Sequence, residues 1–537
     1  MNQQKNCFGE LEEFLSSSFL SHNDLEIDLN YPRKEDTPNL ISALSNCINL
    51  QHLTLALNEN QIDGEDVSSL GIALSKFTYL SNLNLNLGDN NIGVKGISDL
   101  GSGLTSCTNL SNLRLDLGYT QIGSLGALNL FSSLSKCQSL NKMKLTLCSN
   151  KINDEALQGL GSALVNLPNL KTFELRILDN KISPQSYADL GCAFSNCTNL
   201  SNLGLNFMGN ECGDEGALGL GCGLAKCNTL SNLRINLGQN KIGIQGAQGL
   251  CSGLAKCPNL SNLKLNLYRN KFGDNVASAL GYSLSNSISL SNLTLDLYQN
   301  QISSQGASEL FFALANCANL SNLLINLNDN QFGGQGLQCL NFKQQNQSNL
   351  SGLKLILNDN NIGPQDTSGL GSILLNYPSL SHLKIDLKWN SIDDQGFSDL
   401  GISLAKCTNL IKLTLLTFKN QIGDEGVSSI GSALLKCTKL SYLNLKLSQN
   451  KISNKGLIEL ATVLAKYTNL LRFQLYLENN QIDDEGVLGL GSALANCKRL
   501  TYLELNLENN NINGEHILKK RNNFLTSKRL VVNKISF

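Results

Sequence analysis

The chain alternates between two hydrophobic periods within a repeating unit of thirty residues. From Gln51 to Leu500 this unit recurs fifteen times without an insertion, and residues 21–50 and 501–530 follow the same pattern more loosely. A fixed period of this length indicates a solenoid, in which each unit packs only against its neighbours. The pattern therefore predicts about seventeen stacked units and no linker between separate globular domains.

The first part of each unit predicts a β-strand. When the positions of a unit are numbered 1 to 30, positions 3, 5 and 7 are apolar, as in Leu83, Leu85 and Leu87. Strict alternation of this kind is typical of a strand with one buried face. Position 10 is Asn in sixteen of the seventeen units, and Thr120 is the exception. We expect these stacked Asn side chains to bond backbone groups where the chain leaves the strand and to form a ladder.

The second part of each unit predicts an α-helix. Apolar residues fall near positions 17, 20, 24 and 27, as in Val427, Ile430, Leu434 and Cys437, which is helical spacing. Asp, Ser or Gly at positions 13 and 14 can cap the start of this helix. Because a helix is wider than a strand, a stack of such units is expected to curve, with a parallel sheet on its concave face.

The motif LxxLxLxLxxNxI, followed by Gly, a helix and a Cys near the helix end, resembles the leucine-rich repeat. The long helical unit is similar to the ribonuclease-inhibitor-like subclass, which includes the repeat domains of NOD-like receptors and of the Ran GTPase activator. The resemblance covers almost the whole chain. It implies an α/β fold, a leucine-rich-repeat solenoid shaped like a horseshoe, and functions that consist mostly of protein binding.

The ends of the array are less regular than its centre. The predicted organisation is an N-terminal cap at 1–20, a solenoid at 21–530 with regular units at 51–500, and a C-terminal tail at 531–537. Within the cap, a helix from Glu10 to Phe19 is expected to cover the apolar end of the stack. The segment Asn341 to Asn349 breaks the helical pattern and predicts a frayed helix.

Composition excludes several classes of function. The chain has 42 basic and 43 acidic residues, for a net charge of −1, which gives no general attraction to nucleic acid or to a membrane surface. No stretch approaches the ~20 apolar residues of a membrane span, and the first residues lack the pattern of a secretion signal. Seventeen cysteines without such a signal predict reduced thiols and a cytoplasmic location.

No catalytic, cofactor-binding or metal-binding site is expected, and the chain is not predicted to be an enzyme. His22, His52 and His382 all occupy position 2, where we expect exposed residues at the start of a strand. Position 27 exchanges Cys with large apolar residues such as Phe77 and Leu167, which indicates buried small hydrophobic side chains. The cysteines at this position are Cys47, Cys107, Cys137, Cys197, Cys227, Cys257, Cys317, Cys407, Cys437 and Cys497.

The even strand positions predict the binding surface. Positions 2, 4, 6 and 8 are expected on the concave face, where basic, acidic and aromatic residues are concentrated between Arg234 and Phe418; such aromatic and basic residues often anchor protein interfaces. The predicted partner-binding residues are Arg234, Lys264, Tyr268, Asp296, Tyr298, Lys354, Lys384, Asp386, Trp389 and Phe418.

These features favour a scaffold or recognition module that binds a protein partner. The alternative is a regulator of an enzyme: a GTPase activator, or an enzyme inhibitor of the ribonuclease-inhibitor-like type. The sequence predicts neither the identity of the partner nor the oligomeric state.

Overall fold

A computed structural model describes residues 6–29, 34–333, 349–467, 469–494, 497, 499–513 and 532–536. The chain divides into two compact units, residues 1–270 and residues 271–537. Each unit contains parallel strands that alternate along the chain with helices, as the thirty-residue pattern predicts.

In the first unit, each strand hydrogen-bonds in parallel to the strand that follows it in the chain. The strands are β1 Asn6–Phe8, β2 Asp24–Asp28, β3 His52–Ala56, β4 Asn82–Asn86, β5 Asn112–Asp116, β6 Lys142–Thr146, β7 Thr172–Arg176, β8 Asn202–Asn206, β9 Asn232–Asn236 and β10 Asn262–Asn266. The helices are α1 Leu11–Leu15, α2 Thr37–Leu44, α3 Gly64–Leu74, α4 Gly93–Thr105, α5 Gly123–Leu134, α6 Asp154–Val165, α7 Pro184–Ser195, α8 Gly213–Leu224 and α9 Ile244–Ala255.

The second unit has the same organisation, again with parallel pairing between successive strands. Its strands are β11 Asn292–Asp296, β12 Asn322–Asn326, β13 Gly352–Ile356, β14 His382–Asp386, β15 Lys412–Leu416, β16 Tyr442–Lys446, β17 Arg472–Tyr476, β18 Tyr502–Asn506 and β19 Val532–Ser536. Its helices are α10 Gly273–Ser285, α11 Ser304–Ala315, α12 Pro364–Leu374, α13 Asp394–Leu404, α14 Asp424–Leu434, α15 Asn454–Leu464 and α16 Asp484–Leu494.

The two faces of each sheet differ in burial. Leucines at positions 3, 5 and 7 lie in the core, as in Leu83, Leu85 and Leu87, each at most 2% exposed. Positions 2, 4 and 6 of the same strands are mostly half-buried or exposed. We call the face formed by these even positions the open face; it is the surface that the sequence predicted as concave. The strands end at position 6, so position 8 lies at the strand exit.

The asparagine ladder predicted at position 10 is present. The Oδ1 atom of Asn90 accepts bonds from the N–H groups of Asn60 (3.1 Å) and Ile62 (2.9 Å), while its Nδ2 donates to the carbonyls of Leu57 and Leu87. Each Asn therefore ties its own turn to the turn of the preceding repeat. At the exception, the Thr120 hydroxyl donates to the Leu117 carbonyl of its own turn at 2.6 Å and also lies 3.1 Å from Asn150 Oδ1 in the following repeat.

The turn held by this ladder has an unusual backbone. Position 9 has a positive φ in every repeat from Glu59 to Asn509, and a non-glycine residue adopts this left-handed conformation only at a cost. The Asn bonds hold the backbone on both sides of this residue, so the strained conformation is maintained by neighbouring repeats.

Polar side chains at the helix starts also connect successive repeats. The Oδ1 atom of Asp214 in α8 accepts bonds from the N–H groups of Gly243 (2.6 Å) and Gly246 (3.0 Å) at the start of α9. Asp394 does the same for Gly423 and Gly426 in the second unit. These carboxylates satisfy backbone donors that the helix start would otherwise leave unpaired. The sequence predicted capping here, but only within a repeat.

Glycine and cysteine set how closely the helices approach. A Cβ added to Gly223 in α8 would lie 2.2 Å from the backbone of Gly191 in α7, so a larger residue cannot occupy this contact. The ten cysteines at position 27 are buried, as predicted. Several also donate from Sγ to the preceding helix, as Cys257 does to the Leu224 carbonyl at 3.1 Å. The thiol is thus a weak donor between repeats as well as a small apolar group.

The N-terminal cap differs from the expected helix. Its helix α1 has only five residues, and the segment before it adds β1 to the edge of β2. The fully buried Phe14 contacts Phe8 and Phe19 at ring centroid distances of 5.5 Å. The aromatic residues near Phe14, together with the strand, cover the end of the stack because a five-residue helix buries too little apolar surface alone.

The prediction that His22 is exposed is wrong. Its imidazole is 3% exposed and lies between the Asn6 amide and the Ser17 hydroxyl. The cause is a shorter first spacing: Asp24 pairs with His52, a separation of 28 residues, where later strands are thirty apart. His22 therefore precedes its strand and turns into the aromatic cap.

At the other end, residues 532–536 form β19, which pairs with β18 in the thirty-residue register. The segment predicted as a tail is thus a further strand. The frayed helix predicted at 341–349 lies in the undescribed range 334–348, apart from Asn349, and the helix expected after β18 lies outside the described residues as well.

The ladder predicts a large cost for removing one buried Asn. Asn240 is fully buried, accepts from the Cys212 N–H, and donates to the Phe207 and Gly238 carbonyls. We expect Asn240→Ala to lower the free energy of unfolding by about 2–4 kcal/mol, because it leaves buried backbone groups unpaired. Urea denaturation followed by circular dichroism measures the change. The exposed Asn228→Ala is the control, with a change below about 0.5 kcal/mol; equal effects of the two variants would contradict the account.

The cap predicts a pH dependence. Burial lowers the pKa of the His22 imidazole below its ordinary value of 6.5, since it disfavours the charged form. Unfolding of the cap therefore takes up a proton at acid pH, so its stability is retained above pH 6.5 and decreases as the pH falls below that value. Hydrogen exchange in 6–29, corrected for intrinsic rates, should accelerate at acid pH while β5 stays protected. An imidazole titration by NMR at or above 6.5 would refute this.

Candidate functional site

The open face of the first unit carries a basic pair at the predicted site. Arg234 in β9 and Lys264 in β10 are partners in strand register, and both side chains are exposed. Together with Asn232 and Asn262 they line a groove of about 530 Å³. The Nδ2 of Asn262 donates to Asn232 Oδ1 at 2.8 Å, so a second row of asparagines orders the floor of this groove.

Tyr268 lies at the exit of β10 and is held by the preceding repeats. Its ring lies so close to Gly238 that a Cβ there would be 2.2 Å from Cε1. Its hydroxyl donates to the sulfur of Met208 at 2.7 Å. Tyr268 is therefore half-buried across three repeats, and it presents one edge of a fixed ring instead of a free side chain.

In the second unit, Asp296 and Tyr298 lie at the end of β11. Asp296 Oδ1 accepts bonds from the Tyr298 N–H at 3.3 Å and from Asn326 Nδ2 at 2.9 Å. Burial raises the pKa of the Asp296 carboxyl, although both hydrogen bonds oppose the shift. The carboxylate thus fixes the strand exit, and the half-buried Tyr298 follows it.

Lys354 and Lys384 lie side by side on β13 and β14. They line a groove of about 580 Å³ on the open face, which we call the basic groove; its side chains include Leu324, Lys354, His382, Lys384, Lys412 and Tyr442. Burial lowers the pKa of the Lys384 ammonium, and the neighbouring charge of Lys354 lowers it further. Like charges thus face each other across adjacent strands.

Asp386 follows Lys384 on the same strand and is only 7% exposed. Its Oδ2 lies 3.3 Å from Lys388 Nζ, while its buried Oδ1 has no hydrogen-bond partner. In register it stands between Ile356 and Leu416, two apolar neighbours. A carboxylate with an unsatisfied oxygen in such surroundings is unfavourable for stability, so Asp386 is held in place by the lysines around it.

Trp389 and Phe418 form an aromatic pair at the exits of β14 and β15. Their ring centroids are 5.7 Å apart at an interplanar angle of 89°, an edge-to-face contact. Trp389 is 44% exposed and has a φ of 51°, and its N–H donates to the Phe418 carbonyl at 3.0 Å. The backbone thus holds a large, exposed aromatic surface in one orientation.

The structure groups the ten predicted residues by unit. In the first unit, Arg234 and Lys264 adjoin, with Tyr268 at the exit of β10. In the second unit, Lys354, Lys384 and Asp386 lie on adjacent strands, and Trp389 and Phe418 are in contact. Asp296 lies at the end of β11, two strands before β13, and Tyr298 lies at the exit of β11. A single patch running from Arg234 to Phe418 would span both units and stays a prediction.

Sequence reasoning missed an ordered surface on β15–β18. Lys412, Lys446 and Arg472 lie over the rings of Tyr442, Tyr476 and Tyr502 at 4.5, 4.4 and 5.5 Å. These are cation–π contacts between neighbouring strands. The sequence contains the signal: basic and tyrosine residues alternate at position 2 of four successive repeats, and Lys446 precedes Tyr476 at position 6. It appears only when the same position is compared between repeats.

A polar network supports these rings. Tyr442 donates to Gln474 Oε1, Gln474 Nε2 donates to Glu504 Oε2 at 2.6 Å, and Tyr502 donates to the same oxygen at 2.7 Å. Side chains at positions 2 and 4 of three strands are thus fixed by each other.

The described residues include no group of three or more His, Cys, Asp or Glu side chains that could hold a metal ion. The buried thiols are also poor nucleophiles, because burial raises the pKa of Cys107 and Cys317 to about 12. The open face itself presents charged, hydrogen-bonding and aromatic side chains.

A family model described as leucine-rich repeat matches residues 418–431, 436–461 and 474–491. A search of curated protein sequences returned no significant match. The matched segments and the parallel strand–helix repeats identify the fold as an α/β leucine-rich-repeat solenoid, and together they support a leucine-rich repeat protein. The ribonuclease-inhibitor-like subclass stays a prediction.

Leucine-rich repeats generally mediate contacts between proteins. Within the described ranges, none of the helices combines the length and apolar character that a membrane crossing requires.

The packing of the Tyr268 ring against Gly238 predicts the effect of adding one methyl group at position 238. Gly238→Ala places a methyl group where the ring now lies, so the ring should move off β9 and lose its contact with Met208. We expect nitration of Tyr268 by tetranitromethane, quantified by peptide mass spectrometry, to rise severalfold. Gly118→Ala, whose Cβ would meet nothing closer than 3.5 Å, is the control. Unchanged nitration in Gly238→Ala would show that the ring is not held there.

Proposed function

We propose that the chain is a protein-binding module whose partner lies on the open face. The observation that carries this proposal is the exposed, oriented Trp389–Phe418 pair at the exits of β14 and β15, two strands that also line the basic groove. Large aromatic side chains with fixed orientation are the residues that most often dominate interface energies. Because the pair is held by its backbone and by ring contact, binding would order little further, which favours affinity.

The predicted residues would contribute in different ways. Trp389 and Phe418 would supply apolar contact area, while Lys354 and Lys384 would supply charge. In the first unit, Arg234 and Lys264 are exposed and available to a partner. Asp296, Asp386 and Tyr268 are engaged within the chain, so we propose that they position neighbouring side chains.

The alternative, a regulator of an enzyme as a GTPase activator or an inhibitor, uses the same surface. It differs only in requiring a partner whose activity changes on binding, and no particular residue favours it. A cytoplasmic location likewise stays a prediction from the cysteine content.

A pair of matched variants tests the proposal. Trp389→Ala/Phe418→Ala removes the aromatic pair at the strand exits, and Tyr282→Ala/Phe312→Ala removes a similar edge-to-face pair on the helices α10 and α11. Affinity purification from native extract with quantitative mass spectrometry should recover a stoichiometric partner with wild type and with the helix variant. We expect Trp389→Ala/Phe418→Ala to weaken the binding free energy by about 2–4 kcal/mol, which would reduce recovery of the partner at least tenfold.

The opposite pattern would refute the proposal: a partner retained by Trp389→Ala/Phe418→Ala and lost with Tyr282→Ala/Phe312→Ala would place binding on the helices. Measuring the partner's enzymatic rate with and without the chain then tests the regulator alternative.

A further inference from the structure

The basic groove has one sign of charge. Open-face positions of β13–β16 and their exits carry Lys354, Lys384, Lys388, Lys412 and Lys446. Among the described residues at positions 2, 4, 6 and 8 of these repeats the one acid is Asp386, which pairs with Lys388; the exposed Asp359 follows at position 9. No Asp or Glu among the described residues lines the groove itself. An anionic ligand would thus meet several cations at once.

The cationic charges in and beside the groove repel one another. Burial lowers the pKa of Lys384, and Lys354, Lys388 and Lys446 each lower it further, against Asp386, which raises it. Because the neighbouring positive charges destabilise the charged form of Lys384, a bound anion would stabilise that form and reduce the repulsion within the cluster.

The groove also has apolar contact area. Leu324 on β12 lines the groove, and Ile356 lies on the same face of β13, two positions after Lys354; both are half-buried where most repeats have polar residues. Leu324 is the register neighbour of Lys354, so an apolar side chain adjoins the basic pair Lys354 and Lys384. A ligand that fits both would combine carboxylates with apolar side chains.

We propose that the basic groove binds an acidic polypeptide segment in an extended conformation, with carboxylates against Lys354, Lys384 and Lys412 and apolar side chains against Leu324 and Ile356. This inference rests on the proposed function and adds the chemical class of the partner. The groove crosses six strands, β11–β16, which at ~4.8 Å spacing is ~24 Å, the length of about seven extended residues.

A peptide fits these observations better than a nucleic acid. The whole chain has a net charge of −1, whereas nucleic-acid-binding proteins usually carry an extended basic surface. Single-stranded nucleic acids also need aromatic rings on which bases can stack. Tyr442 and the His382 imidazole are the aromatic rings among the described residues that line the groove, and Lys412 already covers Tyr442 at 4.5 Å.

Two labelled peptides of about eight residues test the proposal with the full chain. The first has glutamate at every position except for two central leucines, and the second has glutamine in place of each glutamate. Fluorescence anisotropy should show the glutamate peptide binding at least about tenfold more tightly than the glutamine peptide. Raising the salt concentration from about 0.05 to 0.5 M should weaken binding of the glutamate peptide, because the Debye length shortens.

Matched variants locate the site. Lys354→Gln/Lys384→Gln should weaken the glutamate peptide about tenfold, and Lys354→Arg/Lys384→Arg should keep its binding, since the charge is retained. The control Lys406→Gln/Lys436→Gln removes two exposed lysines that follow α13 and α14 on the helix side, and it should have no effect. Circular dichroism verifies that each variant is folded.

Three results would overturn the proposal: equal affinity for the two peptides, unchanged binding in Lys354→Gln/Lys384→Gln, or a single-stranded oligonucleotide of similar charge that binds the groove more tightly. Failure of the proposed function is distinguishable. If the glutamate peptide does not bind but a captured protein still depends on Trp389 and Phe418, the acidic class is overturned and protein binding stands.

Discussion

The asparagine ladder is the interaction on which the rest of the structure depends. Each repeat must turn from strand to helix through a residue with positive φ, and the backbone groups of that turn are buried. One side chain, such as Asn90 or Asn360, satisfies groups in its own turn and in the preceding one. The turn of one repeat is therefore complete only when the next repeat is in place, which fixes the register at thirty residues.

A fixed register converts a sequence position into a place on a surface. Because position 4 of one strand always pairs with position 4 of the next, the lysines of neighbouring repeats must lie side by side even though they repel. The same constraint places Tyr442 beneath Lys412 and Phe418 beside Trp389. On the other side of the sheet, the close approach of Gly396 in α13 to Pro364 in α12 and the bond from the Cys437 thiol to the Leu404 carbonyl oppose separation of the repeats.

Most of the fold could be predicted because it depends on a repeated local rule. The alternation of apolar residues predicts the strand of each repeat, the helical spacing predicts its helix, and the periodic Asn predicts its turn. Because the same three features recur in successive repeats, the prediction is supported many times over. The ends could not be predicted in this way: the 28-residue first spacing, strand β1 and the burial of His22 depend on contacts that occur once. Ordered features between repeats, such as the Tyr268 ring over Gly238, were also missed, since they join residues thirty or sixty positions apart.

The central claim is that the open face, not the helical face, is the surface that recognises another protein. The most direct measurement is photocrosslinking from one probe on each face of the second unit. A photoreactive residue in place of Lys412 lies on the open face, and one in place of Lys436 lies after α14 on the helical side; both positions are exposed. The account predicts a protein adduct from the first position and none from the second. An adduct from Lys436 with none from Lys412 would contradict it.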